Sequence, residues 1–311
     1  MAAVLVRFYL PGPWPWRHGQ AAAAAPAIPG AGRFYLGVNS SGSTLAAYDA
    51  AIGVSQPSIF GSYTNGDDGS VAQILTYSKD LPGTIPLVSW GVNMQDGAIT
   101  SGSVDAYLRA QAAAVVAYKK PVFLRLDWEM NGTWYPEWSR PAVSPSAYVA
   151  AWRHIWTIFQ QAGATNAAFV WCPNVGEFGG QDWTSWYPGS AYVNWIGMDA
   201  YPDPSTLTTE ISGTGGLNEL AQFAARSGKP AMLAEWAPDN SSQDPGATID
   251  AVFGWAASYP GTVKALVYFN FGSPRKSYIL ADDPTGAARM RLDVAQHKAQ
   301  LFGVGGAGGV R

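Results

Sequence analysis

Short apolar runs of strand length recur roughly every 30–40 residues along this chain, separated by longer runs with helical patterning. The strand-like runs are Arg33–Val38, Ser58–Tyr63, Ile85–Trp90, Pro121–Asp127, Ala167–Pro173, Asn194–Asp199, Pro230–Glu235 and Ala265–Phe269. Helix-like runs cover Ser43–Ala51, with Ser43 as N-cap, then Val71–Asp80, Ser103–Tyr118, Ser146–Ala162, Thr214–Ser227, Thr248–Tyr259 and Gly286–Leu301. Between the fifth and sixth strands, Asn174 to Val193 reads as an aromatic loop. Strands linked by helices of this length run parallel with right-handed crossovers. Eight such units predict an α/β fold of the closed (β/α)8 TIM-barrel type, one domain over residues 31–303. An open doubly wound sheet is the alternative. It calls for a Gly-rich phosphate turn after the first strand, and Gly37-Val38-Asn39-Ser40-Ser41-Gly42 lacks that fingerprint. Residues 1–30 read as a disordered leader or remnant signal, and residues 304–311 as a Gly-rich tail.

Composition narrows the chemistry. Charged residues make up 13% of the chain and the net charge is −3, so no basic stripe exists to bind nucleic acid. A single cysteine, Cys172, excludes an intrachain disulfide and a thiolate metal cluster. His18, His154 and His297 lack metal-ligand spacing, and the latter two fall in helical runs. No metal or organic cofactor is expected. No stretch is long and apolar enough to span a membrane. What the chain does have is aromatic surplus: 14 Trp and 15 Tyr, many near the predicted strand ends.

In barrels of this type the reacting groups sit at the C-terminal ends of the strands. The stretch Pro121 to Trp138, PVFLRLDWEMNGTWYPEW, puts Glu129 at such an end beside Trp134, Tyr135 and Trp138. Period-two alternation would place Arg125, Asp127 and Glu129 on one face with Phe123, and Leu124, Leu126 and Trp128 on the other. Strand seven repeats the pattern, with Ala231 and Leu233 below Glu235, and strand six carries Gly197, Asp199 and Tyr201 in like parity. Arg125 and Asp127 would be buried charges, expected to pair with each other or with neighbouring strands. Two carboxylates facing each other across a Trp-rich barrel mouth suit glycoside hydrolysis: one donates a proton, the other attacks or activates water. Candidate sugar contacts are Trp90, Trp128, Asn131, Trp134, Trp138, Tyr201 and Trp236, with Arg125, Asp127 and Asp199 as supports. Trp171 and Trp195 are read as core, and Trp183, Trp186 and Tyr187 as loop aromatics.

Three segments resemble glycoside hydrolase family 26, in that family's order. They are Trp128-Glu129-Met130-Asn131-Gly132-Thr133-Trp134, then Tyr187-Pro188-Gly189 with Val193 to Tyr201, and Lys229 to Glu235. The resemblance spans roughly Arg33 to Leu301. It implies a (β/α)8 fold, retention of anomeric configuration, Glu129 as acid/base, Glu235 as nucleophile, and Tyr201 holding Glu235. One position departs: the family commonly has His before the acid/base glutamate, and Trp128 stands there. The expectation is an endo-acting, monomeric, extracellular enzyme on a β-linked polysaccharide, β-1,4-mannan first, xylan or β-glucan next. A catalytically silent glycan-binding barrel is the competing reading, with Trp128 in its favour.

Overall fold

A computed structural model describes residues 25–65, 70–92, 96–272 and 276–302. The expected tail, and all of the expected leader before residue 25, lie outside these residues.

Eight strands pair in chain order, all parallel, and the eighth closes on the first. They are β1 (Tyr35–Ser40), β2 (Ile59–Asn65), β3 (Ile85–Gly91), β4 (Val122–Leu126), β5 (Ala167–Trp171), β6 (Trp195–Ala200), β7 (Ala231–Trp236) and β8 (Val263–Asn270). Around them lie α1 (Gly42–Ile52), α2 (Val71–Ser78), α3 (Asp96–Thr100), α4 (Asp105–Tyr118), α5 (Pro145–Gln161), α6 (Leu207–Ser212), α7 (Leu217–Arg226), α8 (Pro245–Ser258) and α9 (Pro284–Gln296). The strands are buried on both faces, as a parallel barrel sheathed by helices requires. The open-sheet alternative is excluded by the β1–β8 pairing.

Several boundaries differ from expectation for identifiable reasons. Helices α5, α8 and α9 begin with Pro145, Pro245 and Pro284, each preceded by a residue whose side chain accepts from the N3 amide: Ser144, Asp244 and Asp283. Proline fits the first helical position because its missing N–H would be unpaired there anyway. Helix α1 is entered at Ser41 rather than Ser43. The short α3 and α6 carry too few residues for a periodic signal. The stretch between β5 and β6 is not an exposed aromatic loop: Trp183 and Trp186 sit in one 3-10 turn and are buried. Trp183 stacks on Trp171 at 5.7 Å and Trp186 packs edge-on against Tyr148.

Residues 25–30, assigned to the leader from sequence, are fastened to the base of the barrel. Pro26 and Pro29 are buried, Tyr35 donates to the Ala27 carbonyl at 2.8 Å, and Lys264 donates to the Gly30 carbonyl at 3.0 Å. No helix among the described residues is long and apolar enough to cross a membrane.

Candidate active site

The site is built from the barrel axis upward. Arg125 on β4 is fully buried and points inward. It donates to Ser89 Oγ at 2.9 Å, to both Asp199 oxygens at 2.8 Å, and to Glu235 Oε1. One guanidinium thus links β3, β4, β6 and β7. A register shift between Met198 and Asp199 sets Asp199 opposite Glu235 across the β6–β7 pair, within reach of the same cation. Burial works against the Arg125 charge, but the Asp199 and Glu235 carboxylates outweigh it and hold the guanidinium firmly protonated. Cys172 completes this floor, its Sγ 3.2 Å from Asp199 Oδ1, with burial pushing its thiol well up.

Glu235 receives a second donor, the Tyr201 hydroxyl, on Oε2. Both oxygens therefore face donors, which suits an acceptor-only carboxylate.

Glu129 reaches the cleft by a different route from the one its spacing suggests. Strand β4 stops at Leu126, and Asp127 and Glu129 adopt left-handed backbone, φ 39° and 55°. Such values cost non-glycine residues about 1–3 kcal/mol each and persist only when held from outside. Here the Asp127 amide donates to the Trp90 carbonyl at 3.1 Å, and Asp127 Oδ1 accepts from the Val92 amide at 2.6 Å. The Glu129 amide donates to the Cys172 carbonyl at 2.8 Å. The expected alternation thus fails beyond Leu126. Asp127 supports the turn through the Val92 amide beyond β3, and Trp128, expected to face away from Glu129, lines the same cleft.

Among the described residues no ion pair is formed by Glu129; Trp134 Nε1 donates to its Oε2, and Tyr135 also hydrogen-bonds to it. Burial and the nearby Glu235 raise its pKa from 4.5 to about 8, against those hydrogen bonds and the more distant Arg125. The two glutamates therefore sit in unlike surroundings: Glu235 in a ring of donors, Glu129 in an apolar wall that favours its neutral form. The cleft between them, about 290 Å³, is walled by Tyr63, Trp128, Tyr135, Tyr201, Phe269 and Phe271. Trp128 lies over Arg125, ring centre to guanidinium 5.1 Å, with its indole N–H donated to Tyr135 at 3.1 Å.

The other expected contacts divide by position. Trp134 is 43% exposed beside Glu129 and packs edge-on to Phe178. Trp138 is buried behind Trp128, stacking on Tyr135 at 4.7 Å and donating to the Trp128 carbonyl. Asn131 is buried and its amide is committed to the backbone of the loop after β5. It donates to the Asn174 and Gly176 carbonyls and accepts from the Asn174 amide. Neither Trp90 nor Trp236 enters the cleft. Trp90 packs outside the barrel on Tyr107 and Phe159, and Trp236 packs on Phe253 and Tyr268. Each is one residue away from an inward-pointing neighbour, Ser89 or Glu235, so strand alternation turns it outward. The same rule, applied to β2 and β8, points to the wall residues missed from sequence, Tyr63 and Phe269. No group of three or more metal-ligating side chains occurs among the described residues.

Comparisons with known proteins bear on the family and the fold. The model for glycosyl hydrolase family 26 matches residues 93–244. Endoglucanase H of Acetivibrio thermocellus is 35% identical over 160 residues, covering 48% of this chain and 17% of that protein. Mannan endo-1,4-beta-mannosidase A and B of Caldalkalibacillus mannanilyticus is 30% identical over 186 residues, 56% of this chain and 34% of that protein. Beta-1,3-xylanase TXYA of a Vibrio species is 24% identical over 172 residues, 53% and 34%. The chain thus spans about a third of the length of two of these relatives and about a sixth of the other. Among solved structures, GH26C from Muricauda sp. MAR_2010_75 superposes with a TM-score of 0.68 at 15% identity, covering 87% of each chain. A modular endo-beta-1,4-mannanase from Cellulomonas fimi gives 0.65 at 17% identity, covering 88% of this chain and 74% of that one. At such identities these superpositions speak to the fold; the sequence matches carry the relationship. Together they relate this chain to glycosyl hydrolase family 26, whose model matches just under half of it.

Proposed function

We propose that the protein is a retaining endo-glycoside hydrolase of β-linked polysaccharide, with β-1,4-mannan the first substrate to test. The observation that carries the reading is the asymmetry of the two glutamates. Glu235, held by Arg125 and Tyr201, is the nucleophile, and Glu129, neutral in its apolar wall, is the acid. In the first step Glu235 attacks the anomeric carbon while Glu129 protonates the departing glycosidic oxygen, leaving a covalent glycosyl–enzyme. In the second, Glu129, now ionised, takes a proton from water as that water attacks the same carbon and releases Glu235. The aromatic wall supplies flat faces for sugar rings. Arg125, Asp199 and Asp127 shape the site from below; Asn131 and Trp138 back its wall. An extracellular, monomeric enzyme fits a polymeric substrate of this kind.

The test is reducing-sugar release from mannan, xylan, mixed-linkage glucan and β-1,3-glucan, alongside Glu129→Ala and Glu235→Ala. Release from one polymer, abolished by either substitution, with products first appearing in the β-anomeric form by proton NMR, is the expected result. Inverted products would refute the double displacement. Binding to a polymer without release by the unsubstituted protein would favour the silent barrel, for which Trp128 in the usual place of His is the motivating observation.

A further inference from the structure

Trp128 and Tyr135 line the cleft but take no part in the proton transfers of the double displacement. Trp128 is 4% exposed and enclosed by rings and a cation. Its ring centre lies 5.5 Å from that of Tyr63, 5.2 Å from Tyr135 and 5.2 Å from Trp138, with the Arg125 guanidinium 5.1 Å away. Close packing of this kind fixes the rotamer of the indole, and so the aim of its N–H. That aim is the Tyr135 hydroxyl, 3.1 Å away. Tyr135 is held as firmly. Its ring stacks on Trp138 at 4.7 Å, its amide donates to Ser139 Oγ at 3.2 Å, and its carbonyl accepts from the Ser139 amide at 2.8 Å and the Ser139 hydroxyl at 2.6 Å.

The chemistry of the two groups sets the direction of their hydrogen bonds. An indole nitrogen donates and does not accept, so the phenol oxygen must be the acceptor in the Trp128–Tyr135 contact. The hydroxyl's own proton is then available to the other polar group it meets, the Glu129 carboxyl. Burial, helped by Glu129 and Glu235, pushes the Tyr135 phenol far above its ordinary range, so Tyr135 keeps that proton. A donor aimed at a carboxylate favours its ionised form. Besides Glu235 on β7, the ionisable groups that act on Glu129 are Arg125 on β4, which also favours the anion, and Asp199 and Tyr201 on and just beyond β6. The double displacement asks Glu129 to be neutral in one step and ionised in the next. Burial serves the first; a rigid donor serves the second.

We propose that Trp128 and Tyr135 form a one-way hydrogen-bond relay that positions the Glu129 carboxyl and steadies its ionised form. Tyr135 acts by contact; Trp128 is a positioning residue that acts through Tyr135, by fixing the direction of its hydroxyl. This rests on the hydrolase reading for the role of Glu129. It makes Trp128 a working part of the site rather than the mark of a silent barrel.

The test reads Glu129 directly. The protein is isotope-labelled at the side-chain carboxyl carbon of glutamate, and the Glu129 resonance is identified by its loss in Glu129→Gln. Its titration is followed by carbon NMR in the unsubstituted protein, in Tyr135→Phe, in Trp128→Phe and in the double variant. Tyr135→Phe keeps the ring on Trp138 and loses only the hydroxyl. Loss of one hydrogen bond to a charged group predicts an upward move of the midpoint by about one pH unit. Trp128→Phe should move it the same way by less, because the hydroxyl remains but is no longer held. In the Tyr135→Phe background, Trp128→Phe should add less than about 0.3 unit, since its partner is already gone. An unchanged or lowered midpoint in Tyr135→Phe overturns the relay. So does a Trp128→Phe effect of equal size in both backgrounds, zero included. The basic limb of kcat/KM, on whichever polymer the panel above identifies, should follow the NMR midpoint from variant to variant. Failure of the hydrolase reading shows separately: the unsubstituted protein then releases no sugar, or its limb ignores the midpoint, while the NMR shifts stand.

Discussion

Replacing Glu129 with a side chain that does not titrate should make this protein more stable, and the size of the gain should depend on pH. Glu129 is 7% exposed, and its pKa is raised from 4.5 to about 8 by burial first and by Glu235 second. Between those values the unfolded chain carries an ionised glutamate while the folded protein keeps the proton. The folded state then binds more protons than the unfolded one, so stability falls as pH rises through this window. At 1.36 kcal/mol per pH unit the full loss is about 5 kcal/mol above pH 8, and about 3 kcal/mol at pH 7. Glutamine at this position does not titrate, keeps a carbonyl oxygen to accept from Trp134, and fills nearly the same volume. Glu129→Gln and the unsubstituted protein should therefore be almost equally stable near pH 4. They should diverge progressively, the variant being the more stable by several kcal/mol at pH 8–9. Urea denaturation at a series of pH values measures this directly. A stability difference independent of pH, or a variant less stable at pH 8, would refute the claim that the folded site holds this proton. The same group should set the basic limb of the kcat/KM profile near pH 8 in the unsubstituted enzyme.

Tyr201→Phe keeps the packing on Phe269 and Tyr278 but removes the donor on Glu235. Turnover should fall about 10–100-fold, the worth of one hydrogen bond to a charged group, with little change in stability. Trp134→Phe removes a hydrogen bond that favours the ionised form of Glu129, so the basic limb of the pH–activity profile should move up by about one pH unit. A downward shift would show that Trp134 acts otherwise. Arg125→Met strands Asp199 and Glu235 without their shared cation and should destabilise the fold by about 3–5 kcal/mol, read by denaturation. A loss under 1 kcal/mol would mean that the three charges are not coupled as their contacts indicate.

How far the site could be read before the fold was known depends on which periodicity applied. Where a strand continues to the reacting residue, alternation works: Gly197, Asp199 and Tyr201 run inward along β6 and its extension, and Glu235 tops β7. The same rule turns Trp90 and Trp236 outward, away from the cleft that their chemistry would suit. It failed after Leu126, because the left-handed backbone at Asp127 and Glu129 breaks the two-residue period and brings Trp128 and Glu129 into one cleft. Hydrogen bonds from β3 and β5 hold that turn, and no local pattern announces them. Asn131 looked like a sugar contact for a related reason: its amide partners lie in the loop after β5, more than 40 residues away.

The linear order of apolar and polar residues determined the barrel, because eight alternations of strand and helix have few ways to bury their apolar faces. It also placed both glutamates at strand ends. Only the tertiary structure decided their surroundings. One arginine can reach Asp199 and Glu235 but leaves Glu129 to Trp134 and an aromatic wall, so two identical side chains meet unlike environments. Such a difference depends on distances between strands four, six and seven, which hydrophobic patterning along a chain does not encode.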